Sequence, residues 1–240
     1  MPRRPARSSR ASGSSTPRAP KKRSSDASAP AAKPEPAGTV ILYFKDENEL
    51  RHVDDPLRQD LSTAAIAGRT LFTSCDETAS VERLVRGEDG HFHHVQNIVL
   101  GDYFDLPDGA EGDMNVEGIA IDGNELWITG SHSLKRDKPA VPVGDHDGAM
   151  ATLATIERDA NRAFLGRLTL TATEDGVLTV DPVAISQGGA AAPARMKTRG
   201  KGRKRKGLKK LLAKDAHLAA ALATPSKENG FDIEGLAVKD

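Results

Sequence analysis

The chain has 240 residues, enough for one sizeable domain or two small ones, and its 34 basic residues balance 34 acidic ones to a formal net charge of +0. Its single cysteine, Cys75, excludes an intramolecular disulfide and a thiolate metal cluster. No apolar run approaches the roughly eighteen residues that a membrane-spanning helix needs, so no membrane partner is expected.

The neutral total hides segregation. Residues 1–38 carry nine Lys and Arg against Asp26 and Glu35, and residues 195–214 carry eleven with no acid, which leaves 14 basic against 32 acidic residues elsewhere. An acidic body with two basic attachments is expected, and local charge then guides partner choice better than the total does. The basic segments suit nucleic acid, bound through phosphates without sequence preference, or an acidic partner that includes the protein's own body. They lack interleaved aromatic residues for base stacking. The basic N-terminus has no apolar core of a secretory signal, so a cytoplasmic location is the expectation.

In chain order, residues 1–38 are rich in Arg, Ser, Pro and Ala and have no aromatic residue. Such a segment cannot bury enough apolar surface to offset its ordering entropy, so a disordered tail is predicted. The domain is expected over 39–240, opening with a buried strand at Thr39–Phe44 and followed by a polar, acidic connection to Asp60. Residues 61–73 then read as strand, turn at Gly68, and returning strand. The stretch Asn115-Val116-Glu117-Gly118-Ile119-Ala120-Ile121 repeats this pattern, turns at Asp122-Gly123-Asn124 and returns as Leu126-Trp127-Ile128-Thr129-Gly130. Aligning Gly68 with Gly123 gives an offset of 55, which places Ser62 where Glu117 stands and Phe72 where Trp127 stands.

Outer strands are predicted at 80–85 and 95–100, then at 164–170 and 177–180 around a turn at Glu174-Asp175-Gly176. Between them lie a polar loop over 134–148 and a short helix within 149–159. A basic low-complexity insertion spans about 186–207. Helical spacing follows from Leu208 to Leu222, interrupted at Asp215 and stopped by Pro225. The signature returns as Asp232-Ile233-Glu234-Gly235-Leu236-Ala237-Val238, the start of a unit whose turn and return strand do not follow before Asp240. The predicted fold class is all-β: propeller-like repeated strand units, incomplete at the C-terminus, behind a disordered basic tail. A fragmentary product is the corresponding expectation, with the strand at 40–44 as the piece that would close the ring.

Four stretches carry a family resemblance: Thr73–Leu84, Asp102–Pro107, Glu117–Ala120 with Gly130–Arg136, and Pro225–Ala237. Over roughly residues 40–240 the chain resembles the bacterial family catalogued as domain of unknown function 3616. That resemblance implies no particular activity. The Glu-Gly-(Ile/Leu)-Ala signature is also similar, over a short span, to that of the esterase-like phytase propellers.

Asp76 and Glu77 just past one inner strand, with Glu117, Asp232 and Glu234 just before others, are the acidic candidates. Strand ends in a propeller converge on one face, so these carboxylates are candidate ligands for Ca²⁺ or Mg²⁺, which favour oxygen donors. The same acids could instead cap turns or pair with Arg between units. His132 is a candidate general acid/base, with Lys135 and Arg136 as an anion clamp suited to phosphate esters. A polar loop is the plain alternative. His91, His93 and His94 make a weak metal set and read better as an exposed turn, while Cys75, Phe72 and Trp127 read as core. Two functions of different class stay open: a binding or scaffold module of unknown ligand, and a metal-assisted phosphoesterase. Nonspecific nucleic-acid association through the basic segments is a third reading.

Overall fold

A computed structural model describes residues 38–45, 59–140, 144–180, 193–196 and 207–239. The predicted tail up to residue 37, the acidic connection over 46–58, and most of the basic insertion at 186–207 lie outside the described residues.

Among the described residues, two five-stranded sheets carry the fold. The first is an antiparallel meander of β2 (Leu61–Ala67), β3 (Thr70–Cys75), β4 (Ser80–Arg86) and β5 (Phe92–Val99). A short strand, β1 (Leu42–Tyr43), pairs parallel to β5 at its outer edge. The second sheet holds β6 (Val116–Asp122), β7 (Glu125–Gly130) and β8 (Leu165–Ala172). The two halves of β8 then pair with β9 (Leu178–Val180) and β10 (Ala194–Arg195). This is an all-β, propeller-like arrangement of repeated units.

The repeat extends to the hydrogen-bond register. Pairs from Leu61↔Cys75 to Ala67↔Thr70 are reproduced 55 residues on, from Val116↔Gly130 to Asp122↔Glu125. Both turns use a left-handed glycine, Gly68 and Gly123, each with φ +56, a conformation that costs glycine nothing. Both inner strands also carry an irregularity at the same place, between Leu61 and Thr63 and between Val116 and Gly118. A bulge re-aims the extra residue. Those residues are Ser62 and Glu117.

The sheets pack face to face through Phe72, Val81 and Ile98 of the first and Val116, Leu126, Ile128 and Leu168 of the second. Apolar side chains on alternate positions supply this core, as strand geometry requires. Trp127 has the register of Phe72 but lies on the opposite side of β7 from Leu126 and Ile128, and it is half-buried rather than core. The strand expected at 39–44 also differs. Only two residues pair, and Val40, Ile41 and Tyr43 are exposed, while Leu42 and Phe44 cover the outer face of the first sheet at Leu71, Leu84 and Phe92.

Two short helices complete the described part of the domain. The helix α1 spans His146–Ala154, three residues earlier than its sequence pattern suggests, because Asp145 accepts the Gly148 N–H and caps it. The second, α2 (Leu208–Leu212), is followed by turns and a 3₁₀ segment at Ala221–Ala223 rather than one continuous helix. No helix among the described residues is long and apolar enough to cross a membrane.

Candidate functional site

The site lies at the mouths of the two inner hairpins, where the repeat supplies equivalent positions. Beyond the strands, the Asp76 N–H donates to the Asp60 carbonyl at 3.3 Å, and the Ser131 N–H donates to the Asn115 carbonyl at 2.9 Å. The offset of 55 therefore continues past the last ladder pair. The first mouth holds Asp60, Ser62 and Asp76; the second holds Asn115, Glu117 and Ser131. Serine and carboxylate exchange strands between the two, so each mouth keeps an acid. The third signature adds Asp232 and Glu234 at the positions of Asn115 and Glu117.

The third copy sits beside the second unit. The Ile233 N–H donates to the Ser131 carbonyl at 2.9 Å, and the Ser226 N–H to that of Leu134 at 3.0 Å. Gly118 makes this approach possible, since a Cβ there would lie 2.6 Å from the Leu236 Cβ and 2.8 Å from the Leu236 nitrogen. Between the first two units, Ser62 Oγ donates to the Val116 carbonyl at 2.6 Å, and Thr63 Oγ1 accepts the Ile119 N–H at 3.1 Å.

This packing brings the acids into mutual electrostatic range. Burial, then the charges of Glu234, Asp232 and Asp76, pushes the Glu117 carboxyl up to about 7, against a weaker opposing pull from Arg162. Burial and the Asp60 charge raise Asp76, and burial and the Glu234 charge raise Asp232. Both causes disfavour the charged form of a carboxyl. Buried carboxylate oxygens of Asp60, Asp76, Asp113 and Asp232 have no hydrogen-bond partner within the protein. Among the described residues no Lys or Arg closes an ion pair with Glu117 or Glu234, and no three acidic, histidine or cysteine side chains already stand at metal-ligating spacing. Glu77, on the turn beside Asp76, and Glu234 are exposed, while Asp76, Glu117 and Asp232 are half-buried.

Arg162 is the neighbouring cation, and the sequence pattern did not single it out. It donates to Asp113 at 2.6 Å and to Ser133 Oγ at 3.0 Å. Lys135 stands 3.0 Å from Asp159 and 3.8 Å from Asp113. Burial opposes its charge, but the hydrogen bond and charge of Asp159 and the charge of Asp113 hold the Lys135 ammonium above its ordinary pKa. Arg136 points elsewhere, pairing with Glu228 at 2.5 Å and donating to the Leu153 carbonyl.

His132 is buried in a left-handed backbone conformation (φ 56). Its Nε2 lies 2.9 Å from the Phe164 carbonyl, so that nitrogen carries the proton, while buried Nδ1 has no partner. Burial lowers its pKa. His132, Lys135 and Arg136 thus each engage a different partner.

The outer histidines also separate. His93 pairs with Asp89 at 3.0 Å and stacks on Tyr43, while His91 Nδ1 accepts the Ile41 N–H at 3.3 Å. His94 turns inward to Glu82 Oε2 at 2.6 Å. Glu82 is fully buried and also accepts from Asn97 and Ser80. Cys75 is fully buried as expected of a core thiol, and burial raises its pKa.

The family model described as protein of unknown function, DUF3616, matches residues 60–240, and the chain belongs to that family. Comparison with curated proteins and with solved structures gives no match.

Proposed function

We propose that this member of the family is a binding module whose inner-strand carboxylates, Asp76, Glu117, Asp232 and Glu234, take a hard divalent cation, Ca²⁺ or Mg²⁺. One observation carries the reading: buried carboxylate oxygens lie without partners beside a Glu117 carboxyl pushed up to about 7, and among the described residues no basic side chain pairs with it. Carboxylate oxygens shielded from water without a partner are costly, and a cation with oxygen preference relieves both the repulsion and the missing contacts. The acids must draw together to ligate it, since no three of them stand at ligating spacing among the described residues. Binding is preferred to phosphoester hydrolysis because His132, Lys135 and Arg136 are already committed to Phe164, Asp159 and Glu228.

A thermal melt of the whole chain in EDTA, then in Ca²⁺ or Mg²⁺, tests the reading. At a cation concentration about a hundredfold above Kd, stabilisation of about 2.7 kcal/mol is expected, a rise of roughly 5–10 °C. The double variant Glu117→Gln, Asp232→Asn should abolish the rise. An unchanged melt in millimolar Ca²⁺ and Mg²⁺ overturns the proposal.

A further inference from the structure

Behind the Asp76 turn runs a chain of side-chain hydrogen bonds that the cation reading does not use. Cys75 Sγ lies 3.3 Å from Thr78 Oγ1, Thr78 Oγ1 lies 3.0 Å from Ser80 Oγ, and Ser80 Oγ donates to Glu82 Oε1 at 3.3 Å. Beyond Glu82 stands His94 on β5, with Asn97 donating to the same carboxylate. Ser74 Oγ closes the base of the turn by donating to the Ser80 carbonyl at 2.6 Å.

The proton count gives this chain a direction. The Ser80 hydroxyl has one hydrogen and spends it on Glu82, so Thr78 must donate to Ser80, and the Cys75 thiol must donate to Thr78. Every hydroxyl in the turn then has one orientation, fixed from the Glu82 end. Glu82 itself cannot drift, because it is fully buried between β3 and β5 and receives three side-chain contacts. Buried networks that are satisfied in this way rigidify what they touch. Here they touch the turn at 76–79, which places Asp76 at the mouth of the first hairpin.

We propose that Glu82, clamped by His94 and Asn97, is a positioning residue for the Asp76 turn, acting through Ser80, Thr78 and Cys75, so that the outer strand β5 sets cation affinity at the inner mouth. The link to affinity rests on the cation reading above. The control of the turn does not.

The experiment uses the full chain with two readouts: the native-state labelling rate of Cys75 by a small thiol reagent, and Ca²⁺ affinity by calorimetry. The variants are Ser80→Ala, His94→Gln and Glu82→Gln, with Val81→Ala as control, since Val81 lies in the core face of the same strand and outside the chain. Ser80→Ala and His94→Gln should each speed labelling and weaken Ca²⁺ binding by about fivefold, the worth of one ordinary hydrogen bond. Glu82→Gln keeps an acceptor for Ser80 and should retain most of both. Val81→Ala should lower the melting temperature while moving neither. If Val81→Ala changes labelling as much as Ser80→Ala does, or if neither chain variant changes it, the positioning role is overturned. If the wild-type chain binds no Ca²⁺, the cation reading fails while the labelling ratios still decide control of the turn.

Discussion

The two hairpins at the centre of this protein share register, turn glycine and bulge, yet their mouths differ in chemistry. In the first, Ser62 at the bulge reaches across to the Val116 carbonyl and ties one unit to the next. In the second, Glu117 at the same position makes no such bond and collects the repulsion of Asp76, Asp232 and Glu234. The strand opposite compensates, with Asp76 against Ser62 and Ser131 against Glu117. The backbone pattern is the property of the repeat. The residue at the bulge decides whether that position ties one unit to the next or joins the gathered acids.

The comparison breaks hardest at the last ladder pair. Cys75 is fully buried in the first unit, but its counterpart Gly130 has the Arg162 carbonyl 2.7 Å and the Met114 carbonyl 2.8 Å from where a Cβ would stand. Gly130→Cys, the residue the first unit uses, should cost about 3 kcal/mol in denaturant unfolding, because backbone cannot step aside as a side chain can. The reverse test, Cys75→Ala, should cost about 1 kcal/mol. Near-equal costs would show the two mouths to be more alike than their contacts indicate.

A smaller effect, with a distinctive pH signature, comes from Glu117. Its folded pKa of about 7 lies above the ordinary 4.5, so the folded state holds the proton more tightly than the unfolded chain does. Below pH 4.5 both states are protonated and the group is neutral in its effect. As pH rises from 4.5 to 7 the unfolded state ionises first and stability is lost. Glu117→Gln removes that loss. After discounting for solvent screening at a half-buried site, it should gain about 1–2 kcal/mol at pH 8 in metal-free buffer and nothing at pH 4. An equal gain at both values would trace the effect to packing instead.

The smallest expected change is at the assembling mouth. Ser62→Ala removes the hydrogen bond to Val116 and should cost about 1 kcal/mol with no pH dependence between 5 and 8. A pH-dependent loss would mean that Ser62 also senses the acids.

Much of the architecture was legible from period and turn chemistry. The alternation of apolar residues, Gly68 and Gly123 at the turns, and the offset of 55 are local properties of the chain, and the ladder follows them pair by pair. The acids at 76, 117, 232 and 234 were legible as neighbours of strand ends, with 117 and 234 in a repeated signature. Arg162, Asp113 and Glu82 were not, because nothing in their neighbours along the chain distinguishes them from solvent-facing charges. Arg162 becomes relevant only because the segment before β8 returns to the mouth of β7, where the Arg162 carbonyl accepts the His132 N–H at 2.8 Å.

The sequence by itself determined the all-β class, the repeat, the turn positions and the segregation of charge, since each depends on residues within a few positions of one another. Only the tertiary structure decided which acids come within electrostatic range of one another, that Trp127 lies on the face turned from the first sheet, and that His132, Lys135 and Arg136 serve separate partners. Those outcomes depend on how one unit lies against the next. That is set by bulges, by Gly118 beneath Leu236 and by the cross-unit bonds of Ser62 and Thr63, contacts between residues more than fifty positions apart.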